Sequence, residues 1–229
     1  MGERKIAVIG GTGDQGFGIV LRLAKAGEKL VIGSRQQQKA EDAARRANET
    51  LGGNVAVEGM ENAKAAAAAD IIIMSVPFAA HVDMIKSVVN SITPEDIFVD
   101  VVVPLSTAVG GSASTALGVW EGSAAQQAVK LLPPRTKVAS AFHNVVADAL
   151  QDLSHEVDSD VIVCSDSQDT RKIVMELVNK VPGVRAIDGG RLENSRTVEQ
   201  LTALLIGINI RYAVKNAGIR ITGIQPTGG

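Results

Sequence analysis

Lys5-Ile6-Ala7-Val8-Ile9-Gly10-Gly11-Thr12-Gly13-Asp14-Gln15-Gly16 runs from an apolar strand directly into the spacing Gly11-x-Gly13-x-x-Gly16. A strand, then glycines so spaced, then a helix is the opening of a nucleotide-binding βα unit. Each glycine has a separate physical task. Gly11 allows a tight turn off the strand, Gly13 lets the backbone approach a pyrophosphate, and Gly16 lets the following helix lie close to the sheet. Phe17, Ile19, Val20, Leu23 and Ala24 fall at near-helical spacing and predict a helix over about residues 14–25. Its first N–H groups and positive dipole end would face bound phosphates. A glycine-rich turn without a ligand is the plainer reading of such a motif alone. Its position behind a strand and before a helix favours a dinucleotide.

The next strand, Leu30-Val31-Ile32-Gly33, ends on Ser34-Arg35, where a Rossmann unit places the adenosine ribose. An NAD site usually carries Asp or Glu there to bond the ribose 2′-hydroxyl. This chain offers Ser34, Arg35 and, one helical turn on, Lys39. A hydroxyl, a planar guanidinium and an ammonium together suit a 2′-phosphate through charge-assisted hydrogen bonds. The site reads as NADP, against the alternative of a solvated basic helix start.

Outward from this unit, helices and strands alternate. An alanine-rich helix is expected over residues 36–50, a short strand over 55–58 and a helix over 63–69. Ile71-Ile72-Ile73-Met74-Ser75-Val76-Pro77 is a continuous apolar run, the pattern of a parallel strand buried on both faces. A helix over 78–89 and a strand over 97–103 follow. Residues 105–122 are irregular and glycine-rich, and read either as a wall or lid over the cleft or as a disordered surface insertion. A helix over 123–132, strands over 138–142 and 161–164, a helix over 169–180 and a strand over 184–187 continue the pattern. One long apolar helix is expected over 192–216, with Leu201, Leu204, Leu205, Ile208 and Tyr212 as buried candidates. Its apolar surface points to a subunit interface or a cap on the cleft. The expected architecture is α/β: a Rossmann-type, doubly wound, mostly parallel sheet with a small C-terminal helical extension. Residues 1–190 form the dinucleotide-binding domain and 191–229 the helical part.

Composition narrows the function classes. The 229 residues are 45% hydrophobic and 21% charged with a net charge of -2, as in an ordinary globular protein. Lys and Arg (23) are dispersed and outnumbered by Asp and Glu (25), so no nucleic-acid surface is expected. Cys164 is the only cysteine, which excludes an intrachain disulfide and a cysteine metal cluster and fits a reducing cytoplasm. No apolar run reaches the roughly 18 residues of a membrane span. Met1 leads almost directly into the first strand, which leaves no room for a signal peptide, so a cytoplasmic protein with no membrane partner is expected.

A Rossmann unit binds the cofactor, so the reaction has to be argued from the other side of the cleft. Dehydrogenases of alcohols or acids need a side chain to exchange a proton with the oxygen, usually His, Lys or Tyr. Candidates are few: His81, His143, His155 and Tyr212, with no Tyr-x-x-x-Lys pair. His155 sits among polar residues and reads as solvated, and His81, one turn into a helix, as structural or at the rim. His143, at a strand end, belongs either in the cleft or in a structural role. Arg196 and Gln200 are four apart and share a helical face. An arginine cannot give up a proton near neutral pH. That points to hydride transfer in which Arg196 supplies charge or orientation and acid–base catalysis is unnecessary.

Gly10-Gly11-Thr12-Gly13-Asp14-Gln15-Gly16, Gly33-Ser34-Arg35, Trp120-Glu121-Gly122-Ser123-Ala124-Ala125, Ala141-Phe142-His143-Asn144 and Asn216-Ala217-Gly218-Ile219-Arg220-Ile221 resemble the archaeal NADPH:coenzyme F420 oxidoreductases, over essentially the whole chain. The resemblance implies direct hydride transfer between C4 of the nicotinamide of NADP(H) and C5 of F420, an 8-hydroxy-5-deazaflavin, with no catalytic side chain and no metal. It implies Thr12, Gly13, Asp14 and Gln15 at the pyrophosphate, and Ser34, Arg35 and Lys39 at the 2′-phosphate. It further implies Val76, Ala147 and Ala217 near the nicotinamide half, and His143, Arg196 and Thr202 on the deazaflavin side. Gln200 departs from the pattern, standing where a relative has serine. A homo-oligomer is expected. The alternatives are an NADPH-dependent reductase of another small substrate, such as a cyclic imine, and a non-catalytic NADP sensor acting through its C-terminal helix. Arg35→Asp is expected to weaken NADPH at least about tenfold more than NADH in parallel binding titrations. Equal losses would remove the 2′-phosphate assignment.

Overall fold

In the computed structural model, which describes residues 4–53 and 55–224, β1 (Lys5–Ile9) sends Ile6 and Val8 to one apolar layer and Ala7 and Ile9 to another. β4 (Ile71–Met74) repeats this alternation, with Ile71 and Ile73 on the first side and Ile72 and Met74 on the second. Both strands are therefore central, as continuous apolar runs require. They belong to an eight-stranded sheet of order β3-β2-β1-β4-β5-β6-β7-β8. The other strands are β2 (Lys29–Ser34), β3 (Glu58–Glu61), β5 (Ile97–Asp100), β6 (Lys137–Ser140), β7 (Ser159–Ser165) and β8 (Val184–Asp188). Every pairing is parallel except β6 with β7. The doubly wound, mostly parallel sheet expected from the alternation is thus present.

Helices cover both faces. α1 (Asp14–Lys25), α2 (Gln37–Thr50) and α7 (Gln168–Asn179) pack into one layer. α3 (Asn62–Ala67), α4 (Phe78–Val88) and α5 (Ala124–Leu131) pack into the other. The chain runs outward from β1 through β2 to β3, then returns to β4 beside β1. The crevice at that reversal, outside the carboxyl ends of the strands, is where an open α/β sheet takes ligands. Among the described residues, no helix is long and apolar enough to cross a membrane.

Several boundaries differ from expectation. The strand expected over 55–58 lies later, at Glu58–Glu61, because pairing with β2 and packing on α2 override local preference. A Cβ on Gly59 would sit 2.4 Å from the Ala40 backbone, so a residue that disfavours strands is there to let β3 approach α2. Of the expected strand, residue 54's neighbour Val55 precedes β3, and Asn54 itself lies outside the described residues. β5 ends at Asp100, leaving Val101 and Val103 free to line a cavity. The helix expected over 192–216 is a 3-10 turn at Leu192–Asn194 followed by α8 (Ser195–Tyr212), which stops where Ala213 adopts φ +51°. Of its buried candidates only Leu205 is buried. Leu204 is 55% and Tyr212 74% exposed, because α8 packs on α5 (Ala124–Leu131) near its start and its far end is left uncovered. Residues 105–122 close on themselves: Ser106 N donates to Thr115 O (2.8 Å), Leu117 N to Pro104 O (2.8 Å), and Leu105 pairs with Ala116.

A short helix not expected from the sequence, α6 (Ala147–Gln151), is tied to α1 by a buried arginine. Arg22 is 2% exposed and donates to the carbonyls of Ala149 (2.7 Å), Leu150 (2.9 Å), Asp152 (2.6 Å) and His155 (2.9 Å). Ala149 and Leu150 carry carbonyls that the C-terminal end of a helix leaves without intrahelical donors, and Asp152 and His155 lie in the turn that follows.

Beyond α8 the chain is clasped back onto the sheet. Asp160 of β7, fully buried, accepts from Arg185 Nε (2.9 Å) and Nη2 (2.6 Å), Arg220 Nη1 (2.9 Å) and the Ile221 amide (2.7 Å). Burial alone would raise the Asp160 pKa, but Arg185, the Ile221 amide and Arg220 outweigh it and hold it at about 2. The clasp, together with Ala217 N donating to Asn209 Oδ1 (2.9 Å), brings Ala217 against α8. Arg22→Met is expected to cost about 3 kcal/mol in urea unfolding, because it strands buried carbonyls. A cost below about 1 kcal/mol would show that water replaces the guanidinium.

Candidate active site

Gly10 leaves β1 at φ +81°, and a Cβ there would stand 2.2 Å from the carbonyl oxygen of Ser75, which follows β4. Only glycine accepts both that conformation and that approach. A Cβ on Gly16 would lie 2.7 Å from the Gly10 carbonyl oxygen, so α1 starts hard against the turn. The tight turn is therefore made by Gly10, one residue before the glycine to which the motif reading gives it. Gly11 instead packs against Val8 and Ile32 and donates to Val8 O at 3.1 Å.

Beside this turn opens a cavity of about 270 Å³ lined by Thr12, Gly13, Ser34, Arg35, Lys39 and Val76. The first amides of α1, which have no acceptor inside a helix, start at its rim. Asp14 is exposed beside them. Arg35 and Lys39 are also exposed and have no carboxylate partner among the described residues. Two free cations and a row of open amides form an electropositive cradle that suits a phosphorylated ligand.

A second cavity, about 310 Å³, lies along the same edge. Gln15, His143, Ala147, Thr202, Leu205 and Ala217 line it, and Leu105 contributes from the 105–122 loop. Gln15, two residues after Gly13 of the first cavity, lines the second: its backbone is in the first turn of α1, and its Nε2 donates to Phe142 O at 3.2 Å. Phe142 itself holds φ +63°, an unfavourable conformation for a bulky residue, and so turns the chain after β6. Thr202 Oγ1 of α8 then donates to His143 O at 2.7 Å, which fixes the turned segment from the other side.

His143 is 4% exposed and neither ring nitrogen has a hydrogen-bond partner among the described residues. Burial lowers its pKa to about 4, with Asp100 opposing only in part, so the ring is neutral at pH 7. A neutral imidazole offers one donor and one acceptor. Asn144 Oδ1 is likewise buried without a partner, while its Nδ2 donates to Ser159 Oγ (3.1 Å) and Asp160 O (2.7 Å). Arg196 lies outside this cavity, exposed, with Nε 3.3 Å from Gly122 O, and Gln200 is exposed on the same stretch of helix. His155 is exposed, as its polar neighbours suggest. Among the described residues no His, Cys, Asp and Glu group could hold a metal ion.

Behind the second cavity lies a buried polar cluster that sequence reasoning missed. His81 is fully buried, with Nε2 2.8 Å from Asp100 Oδ2 and Nδ1 3.3 Å from Gln127 Oε1. Burial pushes its pKa down, and Asp100, Gln127 and Glu199 more than offset this, so the net shift is upward. Glu199 of α8 accepts from Ala124 N (2.8 Å) and Ala125 N (3.2 Å), the first amides of α5. Burial, reinforced by the Asp100 charge, raises the Glu199 pKa to about 8 against the pull of those amides.

A family profile described as "NADP oxidoreductase coenzyme F420-dependent" matches residues 5–104. The F420-dependent NADP reductase of Methanothermobacter thermautotrophicus is 46% identical over 222 residues, 96% of this chain and 95% of that protein. The chain belongs to the F420-dependent NADP reductase family. The family member from Methanocaldococcus jannaschii is 45% identical over 224 residues, 96% of this chain and 99% of its own. A solved structure from Arthrobacter sp. FB24 superposes with a TM-score of 0.81 at 23% identity, covering 96% of this chain and 99% of that one, a likeness that bears on the fold alone. For this family member, the raised Glu199 pKa gives stability a sign. The folded state binds more protons than the unfolded chain between the ordinary glutamate range and about pH 8, so this group costs stability as pH rises through that window. Glu199→Gln is expected to flatten the fall in chemical-denaturation stability between about pH 5 and 8. An unchanged slope would place the carboxyl in its charged form throughout.

Proposed function

We propose that this protein transfers a hydride directly between NADP(H) and coenzyme F420, held in the two adjoining cavities. The observation that carries the reading is their adjacency: an electropositive cradle and a largely apolar pocket share the carboxyl-end edge of the sheet, Gly13 lining the first and Gln15, two residues on, the second. NADP(H) and the deazaflavin supply the hydride chemistry when bound, and the chain supplies position. The open amides of Thr12, Asp14 and Gln15 take the pyrophosphate, and Gly13, whose own N–H bonds Gly10 O at 3.0 Å, lets it approach the backbone by having no side chain. Ser34, Arg35 and Lys39 take the 2′-phosphate, which NADH lacks. Val76, Ala147 and Ala217 wall the nicotinamide half with apolar surface that excludes water. His143 and Thr202 face the deazaflavin, His143 through a ring that is neutral and unpartnered, and Arg196, exposed beside Gly122, supplies a cation on that side. No side chain needs to move a proton. Alignment of donor and acceptor carbons to about 3–3.5 Å in a dry cleft is the catalytic task.

The similarity of the relatives extends through the C-terminal half, which disfavours a cyclic-imine reductase or a sensor as the reading. The part from residue 191 onward caps the cleft through α8 and the clasped segment. Leu204, Ile210, Tyr212 and Val214 expose apolar surface there, and Trp120 is 99% exposed. A second copy of this chain is the natural cover, giving a homo-oligomer. A reducing cytoplasm suits the lone buried Cys164, whose thiol burial pushes up to about 11. Stopped-flow mixing with NADPH and oxidised F420 is expected to bleach the deazaflavin band. His143→Ala is expected to raise KM for F420 about tenfold with NADPH affinity unchanged. Absence of bleaching in the wild-type protein overturns the reading.

A further inference from the structure

The electropositive cradle has an inner end that phosphate binding does not use. Asn62, the first residue of α3 at the carboxyl end of β3, is 5% exposed and lines that end with Ala80 and Met84 of α4. Its Nδ2 reaches only the Met84 sulfur at 3.0 Å, a weak acceptor, and its Oδ1 is buried with no partner. A buried carbonyl oxygen without a donor is costly and marks a place where a ligand completes the hydrogen bonding. Gly33 contributes to the geometry, since a Cβ there would come within 2.9 Å of Asn62 Oδ1. The absence of a side chain at Gly33 leaves that oxygen room.

This inference rests on the reading of the first cavity as an NADP site. In a 2′-phosphorylated adenosine the base hangs from the carbon next to the one that carries the phosphate. With the phosphate on Arg35 and Lys39, the base is therefore delivered to the adjoining wall. That wall offers two apolar side chains, Ala80 and Met84, for the faces of a flat ring, and one polar atom free to accept. We propose that Asn62 Oδ1 accepts a hydrogen bond from the exocyclic amino group of the adenine, making Asn62 a base-specificity residue of this enzyme.

The alternatives presented by a nucleotide differ in sign at that atom. Adenine presents an N–H donor at its 6-position, whereas hypoxanthine presents a carbonyl oxygen, which would face Asn62 Oδ1 acceptor to acceptor. A site whose buried acceptor needs a donor rejects the analogue lacking it more strongly than apolar contact can. The assignment of the amide oxygen and nitrogen follows from the Met84 contact. With the amide reversed, the oxygen would meet the sulfur and the free group would be a donor, which favours the opposite base.

The test is direct binding, read by calorimetry and by reduced-nicotinamide fluorescence, of NADPH and of its hypoxanthine analogue. Wild-type protein is expected to prefer NADPH about tenfold or more. Asn62→Ala is expected to bind the two within about twofold of each other, by weakening NADPH. Asn62→Asp, which keeps an acceptor oxygen and the side-chain shape, is expected to retain the preference and guards against a folding defect in the alanine variant. Equal wild-type affinity for both dinucleotides, or a preference that survives in Asn62→Ala, overturns the assignment. Neither outcome touches the hydride-transfer reading, because no turnover is measured. NADPH binding no tighter than NADH would instead bring down the cavity's NADP reading and this inference together.

Discussion

The contact of the Gly10 backbone with the Ser75 carbonyl is the constraint on which the working edge of the molecule depends. It joins the ends of β1 and β4 with no side chain between them, and Ser75 N seals it by donating to Ile9 O at 2.9 Å. With the two strand ends locked, α1 has one available starting point, set by the second close approach at Gly16. The helix then presents its open amides to one cavity and the Gln15 side chain to the other. A substitution at Gly10 would separate the strand ends and misplace both cavity walls at once, an effect beyond the usual cost of losing glycine in a turn.

Buried ionisable side chains do the fastening that large aromatic side chains do elsewhere. Aromatic residues make up only 3% of the sequence, so loops have few rings to pin them. Arg22 holds α6 by its carbonyls, Asp160 holds the segment after α8 by two arginines and an amide, and Glu199 holds α8 to the start of α5. In each case the buried group is met by several hydrogen bonds, the condition under which burial of a polar or charged group is tolerable; Arg22 and Asp160 keep their charge, whereas Glu199 is mainly protonated at pH 7. These fastenings converge on the second cavity: α6 carries Ala147, the clasped segment carries Ala217 and α8 carries Thr202.

Periodicity makes the sheet and most helices legible in the sequence, because buried parallel strands such as Ile71–Met74 are apolar on both faces and leave an unmistakable run. β3 lies later than the local pattern suggests because its Gly59 answers to the proximity of α2, a tertiary fact with no local trace. α6 was missed because its stability comes from Arg22, more than a hundred residues away in the chain by the separations of those bonds. At the site, Ser34, Arg35 and Lys39 were legible as charge at a known strand end. His143 was legible only as a candidate, since burial without a partner is what distinguishes it and burial is not written in a lone histidine. Asn62 and the His81–Asp100–Glu199 cluster carried no spacing signal at all.

The clasp on Asp160 also has a meaning in time. Residues 217–221 emerge from the ribosome after β7, β8 and α8, the elements they dock against. The dinucleotide cradle, built from residues up to Met84, has all its parts far earlier. The wall that Ala217 completes is therefore the last part of the second cavity to be synthesised, and that cavity cannot be whole until the chain is nearly finished.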